Sequence, residues 1–357
     1  MELQDRKSFM ALKLLTILVS SLLLLSGCKK NAQIEFVDVR NAANGIEELK
    51  SLSLSNLNLS NTQYNIPAEG IGTVSVIETD RFLDREEEFW NLFIGSDFEK
   101  KNVINDPRYT PPGPIYRDAS KNIYATVGVN GFFCYEQEVF DNESKNSEPK
   151  WSCDIIGTDE IVDPNGCNIK ELLNKIMPLL DQTKHFDRMD WEPFRVRQIE
   201  DNGKYYYVFE LRKTLDQIPI SVVYGHYTDP GQERVSATHL NVMCDPEGNI
   251  VQFVNQSLLE KTSFEQYDSI VSLKSALVEA GKHLTDNKRY DVKYAELVYR
   301  IYQTNIVEND VWPRVEYELK PFWGFYISLE YGKEIYIMVD CKTGEVEFVN
   351  NAYGWTE

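Results

Sequence analysis

"HLNVMCDPEGNIVQFVN", residues 239–255, and "IYIMVDCKTGEVEFVN", residues 335–350, are two versions of one pattern. Each has an apolar strand, an aspartate, a turn containing glycine, and a second strand ending Phe-Val-Asn. An internal repeat constrains a fold more tightly than any single segment. Working outward, "YYVFELRKTLDQIPISVV" (206–223) resembles "PRVEYELKPFWGFYISLE" (313–330). An amphipathic helix precedes each copy. In the first, Asn168 and Glu171 form an N-cap pair, and Ile169, Leu172, Leu173 and Ile176 form the apolar stripe. In the second, Ile270, Leu273, Leu277 and Leu284 form it. The copies lie about 95 residues apart.

The strands of the second copy alternate. Val315, Tyr317 and Leu319 point one way, and Glu316, Glu318 and Lys320 the other; Phe325, Ile327 and Leu329, then Ile335, Ile337 and Val339, repeat the pattern. Period two with one polar face predicts an antiparallel sheet, buried on one side and wet on the other. A single such face, covered by a helix, offsets chain ordering only narrowly, so the two copies are expected to pack together. The predicted fold class is α+β: a helix packed on an antiparallel sheet, in two tandem copies (151–260 and 261–357), with a smaller N-terminal α/β unit over 67–150. In that unit "DREEEFWNLFI" reads as a helix with Phe82, Phe89, Trp90 and Phe93 on one side. "YTPPGP" reads as a rigid turn, and Asn130-Gly131 between apolar runs as a hairpin, because both positions favour positive φ. "DNESKNSEPK" reads as a solvated loop.

Helix, strands, then a hairpin with Asp before a Gly turn: this order resembles the PepSY-like modules of bacterial secreted and surface proteins, whose hairpin runs V-D-x-x-T-G-x-V. Here it is Val339-Asp340-Cys341-Lys342-Thr343-Gly344-Glu345-Val346. The first copy departs from it, with Pro246-Glu247 in place of the Lys-Thr pair and Cys244 before Asp245. The resemblance covers 265–351 well and 168–256 poorly. It implies a helix-on-sheet fold and a binding, inhibitory or regulatory role outside the membrane, in the manner of YycI-type regulatory surface proteins. It supplies no catalytic residues.

The N-terminus gives the destination. Arg6, Lys7 and Lys13 make a basic start, and Leu14 to Leu25 form a twelve-residue apolar run. That is too short to span a bilayer, which takes about 20 residues, and it suits a signal-peptide core over 1–27. Leu25-Ser26-Gly27-Cys28 then resembles the lipobox of bacterial lipoproteins. In that family the cysteine thiol receives diacylglycerol and the chain is cut just before it, so Cys28 becomes the lipidated N-terminus. The resemblance implies a lipoprotein on the extracytoplasmic face of a cell membrane, Gram-positive in type, with the membrane as a partner through the N-terminal lipid. The competing reading is an uncleaved anchor whose cysteine is incidental. Residues 28–66, with "SLSLSNLNLSNTQYN" and a leucine spacing that slips at Asn56, are expected to be a lipidated tether, a short strand being the alternative.

Cleavage would leave 330 residues (357 − 27), enough for two domains. The first 27 residues carry +1, so the remainder carries −20 (−19 − 1). Such acidity argues against nucleic acid as a partner. Five further cysteines, Cys134, Cys153, Cys167, Cys244 and Cys341, include one at least that stays unpaired. Cys153 and Cys167 flank a loop and are candidates for a bridge; small core residues are the alternative.

No reaction is legible. The histidines, His185, His226, His239 and His283, have no metal-ligand spacing, and no phosphate loop, dinucleotide fingerprint or nucleophile elbow is present. No cofactor and no metal are therefore assigned. Asp245 and Asp340 are cation ligands or turn caps, and caps are the commoner case. Among the aromatics, Trp323, Tyr326 and Tyr336 are candidates for a binding surface on the wet face; packing against the other copy is the competing reading. The expected role is a binding or regulatory module for an envelope protein or peptide. The alternatives are a solute- or glycan-binding lipoprotein and a surface-tethered hydrolase.

Overall fold

Strand-forming alternation dominates this chain, and sheet dominates its structure. The computed structural model describes residues 34–51, 54, 56–67, 70–79, 86–93, 115–118, 123–127, 133–137, 149–155, 161–183, 189–221, 239–255, 258–284, 288–307, 314–328 and 334–349. The signal segment, Cys28, Phe82, the turn at 109–114, Asn130-Gly131, the loop at 141–148, His185 and His226 lie outside them.

The described chain opens with β1 (Phe36–Asp38), a 3-10 turn (Val39–Asn41), α1 (Ile46–Ser51), β2 (Leu57–Asn58), β3 (Gln63–Asn65) and β4 (Gly72–Glu78). Then come α2 (Glu86–Phe93), β5 (Ile115–Asp118), β6 (Ile123–Val127), β7 (Phe133–Gln137) and β8 (Trp151–Asp154). Next, α3 (Ile169–Thr183) leads into β9 (Asp190–Asp201), β10 (Lys204–Leu215), β11 (Ile218–Pro219), β12 (His239–Cys244) and β13 (Ile250–Asn255). The last part holds β14 (Leu259–Gln266), β15 (Ser269–Val271), α4 (Leu273–Lys282), β16 (Tyr290–Val307), β17 (Arg314–Ser328), β18 (Glu334–Asp340) and β19 (Val346–Val349).

The result is a mixed α+β fold with two large sheets. The first runs β5-β6-β7-β13-β12-β10-β9-β8, with β11 beside β10. The second runs β14-β4-β17-β16-β2, with β18 and β19 continuing from β17 and β3 beside β16. After α3 the strands β9, β10, β12 and β13 are antiparallel neighbours; after α4 so are β16, β17, β18 and β19.

The N-terminal part does not stand alone. The strands expected in a unit over 67–150 are shared out: β4 joins β14 and β17 in the second sheet, and β5 to β7 join β13 in the first. A few short strands cannot bury a face by themselves, so they complete larger sheets. From Phe36 to Glu357 the chain forms one compact unit. The hairpin around Asn130-Gly131 is present as the β6–β7 pair, Val127 opposite Phe133.

Over its described residues, from 34 to 66, the expected tether is likewise corrected. β1 pairs with β15, and β2 and β3 run parallel to β16. Leu57 and Leu59 are buried, and Asn56 Nδ2 donates to the Gly281 carbonyl at the end of α4 (2.9 Å). Thr62 Oγ1 donates to the Val292 carbonyl (2.7 Å). Leu57 and Leu59, interleaved with asparagine and serine, form one buried edge of the body. The slip in their spacing falls where the chain turns over α4.

Two apolar clusters flank the first sheet. Ile169, Leu172, Ile176 and Leu180 of α3 share one with Val196, Tyr207, Phe209, Leu211, Leu240, Val242 and Phe253. Tyr206, Val208, Ile199, Met243 and Val251 form another from the alternate positions. In the second sheet Pro321 to Ile327 and Ile335 to Val339 are buried without a break. The wet face expected there is absent over these strands, because it lies against the first sheet.

Candidate functional site

The three aromatics singled out as a binding surface are all inside. Trp323 and Tyr336 are fully buried and Tyr326 nearly so. Trp323 donates its Nε1–H to the Val271 carbonyl (2.8 Å), which ties β17 to β15. Tyr326 and Tyr336 stack at 4.3 Å between ring centroids, with Tyr294 and with Phe194 of the first sheet beside Tyr326. The structure thus brings Tyr326 and Tyr336 together at the seam between the sheets, and leaves Trp323 out of that cluster. As an exposed surface they are a correction. The alternate positions of β17 and β18 face another sheet instead of solvent.

Glycine makes the arrangement possible. Gly324 sits opposite Glu296 on β16 and Met338 on β18. A Cβ there would clash with the Tyr336 hydroxyl. Without it the tyrosine ring lies across β17 and its hydroxyl donates to Glu296 Oε1 (3.2 Å).

Glu296 is fully buried and takes its charge partner from the other sheet. Arg212 of β10 donates Nη1 to Glu296 Oε1 (2.9 Å) and Nη2 to Oε2 (2.6 Å). The same guanidinium donates Nε to Glu192 Oε1 (2.7 Å), and its Nη2 also reaches that oxygen. Arg212 is 1% exposed, whereas Glu192 is 27% exposed at the rim. The Phe194 ring lies 5.5 Å from the guanidinium carbon, a cation–π distance. Burial pulls Arg212 down, but the two carboxylates outweigh it and hold the guanidinium protonated. One cation shared by two carboxylates does not fully compensate either. Burial accordingly pushes Glu296 up despite Arg212. Burial also raises the phenols of Tyr294 and Tyr336, and nearby Glu296 adds to the effect.

A second buried carboxylate lies on β4. Glu78 accepts from the Tyr317 hydroxyl (2.9 Å) and from the Val315 amide (3.3 Å). Burial raises it, while those bonds and the field of Lys213 from the first sheet pull it down. Lys213 is itself fully buried, its ammonium 5.0 Å from the Trp191 ring centre. The backbone closes the seam: Ser221 N donates to Tyr299 O (2.7 Å), and Ile220 bridges to Tyr299 in parallel register.

The first half carries a different polar cluster. Asp163 receives the amides of Asn165 (3.0 Å) and Cys167 (2.6 Å), the Tyr207 hydroxyl (2.6 Å) and the Gln198 amide. This closes the loop before α3, where Asn168 Oδ1 caps the Glu171 amide (3.1 Å). Burial raises the Cys167 thiol, which argues against a reactive thiolate. The five described cysteines carry thiols, so Cys153 and Cys167 are not bridged. Asp245 and Asp340 are turn caps: Asp245 Oδ1 accepts from Asn249 N (2.8 Å), and Asp340 Oδ1 accepts from Lys342 N (2.7 Å) and Thr343 N (2.8 Å).

Chemically, the seam is a polar fastening: the Arg212 guanidinium is spent on Glu192 and Glu296, and the Tyr294 and Tyr336 phenols are held well away from ionisation. Sequence reasoning missed Arg212 and Glu296. The signal was an isolated charge at an apolar position, in "FELRKTL" and "YAELVY", and such charges gain meaning only once partnered.

No family model matches the chain, and no curated protein does. Among solved structures it is similar to an uncharacterized protein from Eubacterium rectale ATCC 33656, at 16% identity and a TM-score of 0.56. The match covers 84% of this chain and 92% of that one. At this identity the likeness concerns the fold.

Proposed function

We propose that the chain is a lipoprotein, acylated at Cys28 and held on the extracytoplasmic face of a cell membrane, whose body binds or regulates another envelope protein or peptide. The body consists of two tandem PepSY-like modules, each a helix laid on a four-stranded meander, fastened face to face. The observation that carries this reading is Leu25-Ser26-Gly27-Cys28 directly after a twelve-residue apolar run with a basic start. Support for binding over catalysis comes from the buried charges. Arg212, Glu296 and Asp163 are each committed to neighbours inside the body.

Mass spectrometry of the native product tests it. The expected N-terminal peptide starts at Cys28 and bears diacylglycerol, and the Cys28→Ala variant loses both the lipid and membrane retention. An unmodified Cys28 thiol still joined to residues 1–27 would overturn the reading. Crosslinking of the acylated protein on cells then identifies the partner.

A further inference from the structure

At its centre the seam between the sheets holds two carboxylates and one guanidinium. Glu192 and Glu296 both accept from Arg212, so the trio carries −1 when all three are ionised (−2 + 1). The other groups around Glu296 supply no second cation to it. Tyr336 of β18, Tyr326 of β17 and Tyr294 of β16 contribute phenols, and Asn65 of β3, opposite Glu296 in the register, an amide. Arg195 lies across the Phe194 ring at 5.1 Å and is drawn to Glu210 (3.6 Å), as is Arg197 (2.7 Å). Lys213 follows Arg212 on β10 but sits at Trp191, its partner in the register. His239 of β12 stands opposite Arg212 in the register.

Like charges that share a water-poor site do not both stay ionised; the pair takes up a proton instead. Glu192 reaches solvent at the rim, whereas Glu296 is fully buried, so the proton goes to Glu296. Its Oε1 faces the Tyr336 hydroxyl at 3.2 Å. Once protonated there, Oε1–H donates to the Tyr336 oxygen, which reverses that bond. Arg212 and Glu192 are then left as a matched pair.

We propose that Glu296 is the proton-binding group of a pH-sensitive fastening between the two sheets. Acidification places a proton on Oε1 and tightens the docking of β16 to β18 on β10. Alkaline solution leaves a surplus charge in the seam and loosens it. The same strands meet at the backbone junction where Ser221 N donates to Tyr299 O (2.7 Å), so that amide reports the loosening. The inference does not depend on the anchor.

The test uses the full chain carrying 13C at the glutamate carboxyl carbons. The Glu296 resonance is the one lost in Glu296→Gln. Its titration midpoint is expected above that of the exposed glutamates. Glu192→Gln is expected to lower it by about one pH unit, because Arg212 then serves Glu296 alone. That variant leaves both buried partners in place, so the shift is read without disturbing the core. Hydrogen exchange at Ser221, corrected for the intrinsic rate, is expected to quicken several-fold from about pH 5 to about pH 8 in the parent chain. It is expected to stay level in Glu296→Gln, which mimics the protonated side chain, and to follow the parent in His239→Gln. A Glu296 midpoint equal to that of exposed glutamates overturns the proposal. So does a midpoint unmoved in Glu192→Gln, or a pH response that disappears in His239→Gln.

Discussion

The two halves of this molecule share an order of elements and differ in how each holds its buried carboxylate. Asp163, at the start of the first half, is satisfied by neutral donors, all between residues 163 and 207. Glu296, in the second half, depends on a guanidinium from the first. One cluster latches a loop to its own sheet. The other fastens one sheet to its neighbour. A buried ion pair seldom adds net stability over apolar packing, but it is costly to break and penalises a misplaced partner.

Breaking each cluster separates these roles. Arg212→Met strands Glu296 and should cost about 3–5 kcal/mol of global stability in urea unfolding. Replacing both Arg212 and Glu296 by Met should recover much of that loss. Asp163→Ala should cost about 1–3 kcal/mol, with lost amide protection confined to residues 161–168 and the first turn of α3. If Asp163→Ala loosens the second sheet as much as Arg212→Met does, the distinction fails.

A smaller effect sharpens the comparison within the second half. Gly324→Ala places a methyl group where the Tyr336 hydroxyl lies, and the overpacking should cost about 1–3 kcal/mol. In a Tyr336→Ala background the same change should cost far less, because the two sites share one contact. Equal costs in both backgrounds would remove the ring-over-glycine account.

The smallest effect is a matter of pH. Glu78 and Glu296 titrate above the ordinary glutamate value of 4.5 in the folded protein. Each therefore binds its proton more readily folded than unfolded. Its contribution is complete below 4.5 and is lost as pH rises through the folded value. Glu78→Gln should flatten the fall in urea midpoint on going from pH 4.5 upward. Asp38 runs the other way: the Arg40 side chain holds it at about 2, so its contribution is present above the ordinary aspartate value and lost as pH falls toward 2. An unchanged slope in Glu78→Gln would place the pH dependence elsewhere.

Much of the local structure was open to reading. The Asn168 cap, the α3 stripe, the β6–β7 hairpin and the aspartate-capped turns at Asp245 and Asp340 all rest on neighbours a few residues apart. What misled was burial on a second face. Alternation in "VEYELK" reads as one wet side and is so at Glu316 and Glu318, which are half-exposed. It stops at Pro321, where both faces become apolar. Trp323, Tyr326 and Tyr336 were accordingly placed on a surface that another sheet covers. Leu57 and Leu59, just after Asn56, misled in the opposite sense. Spaced by serine and asparagine, they resemble a linker, and only the end of α4 makes them core.

The sequence by itself determined the two helix-then-strand stretches after residue 168 and the lipobox-like cysteine, but not β1 to β3 or α1, because periodicity, capping and turn chemistry act over a few residues. Tertiary structure alone decided which faces meet, and that Arg212 and Glu296 are partners. Those outcomes depend on segments far apart in the chain. Solvation of a side chain is set by whatever finally lies against it, and no local pattern carries that information.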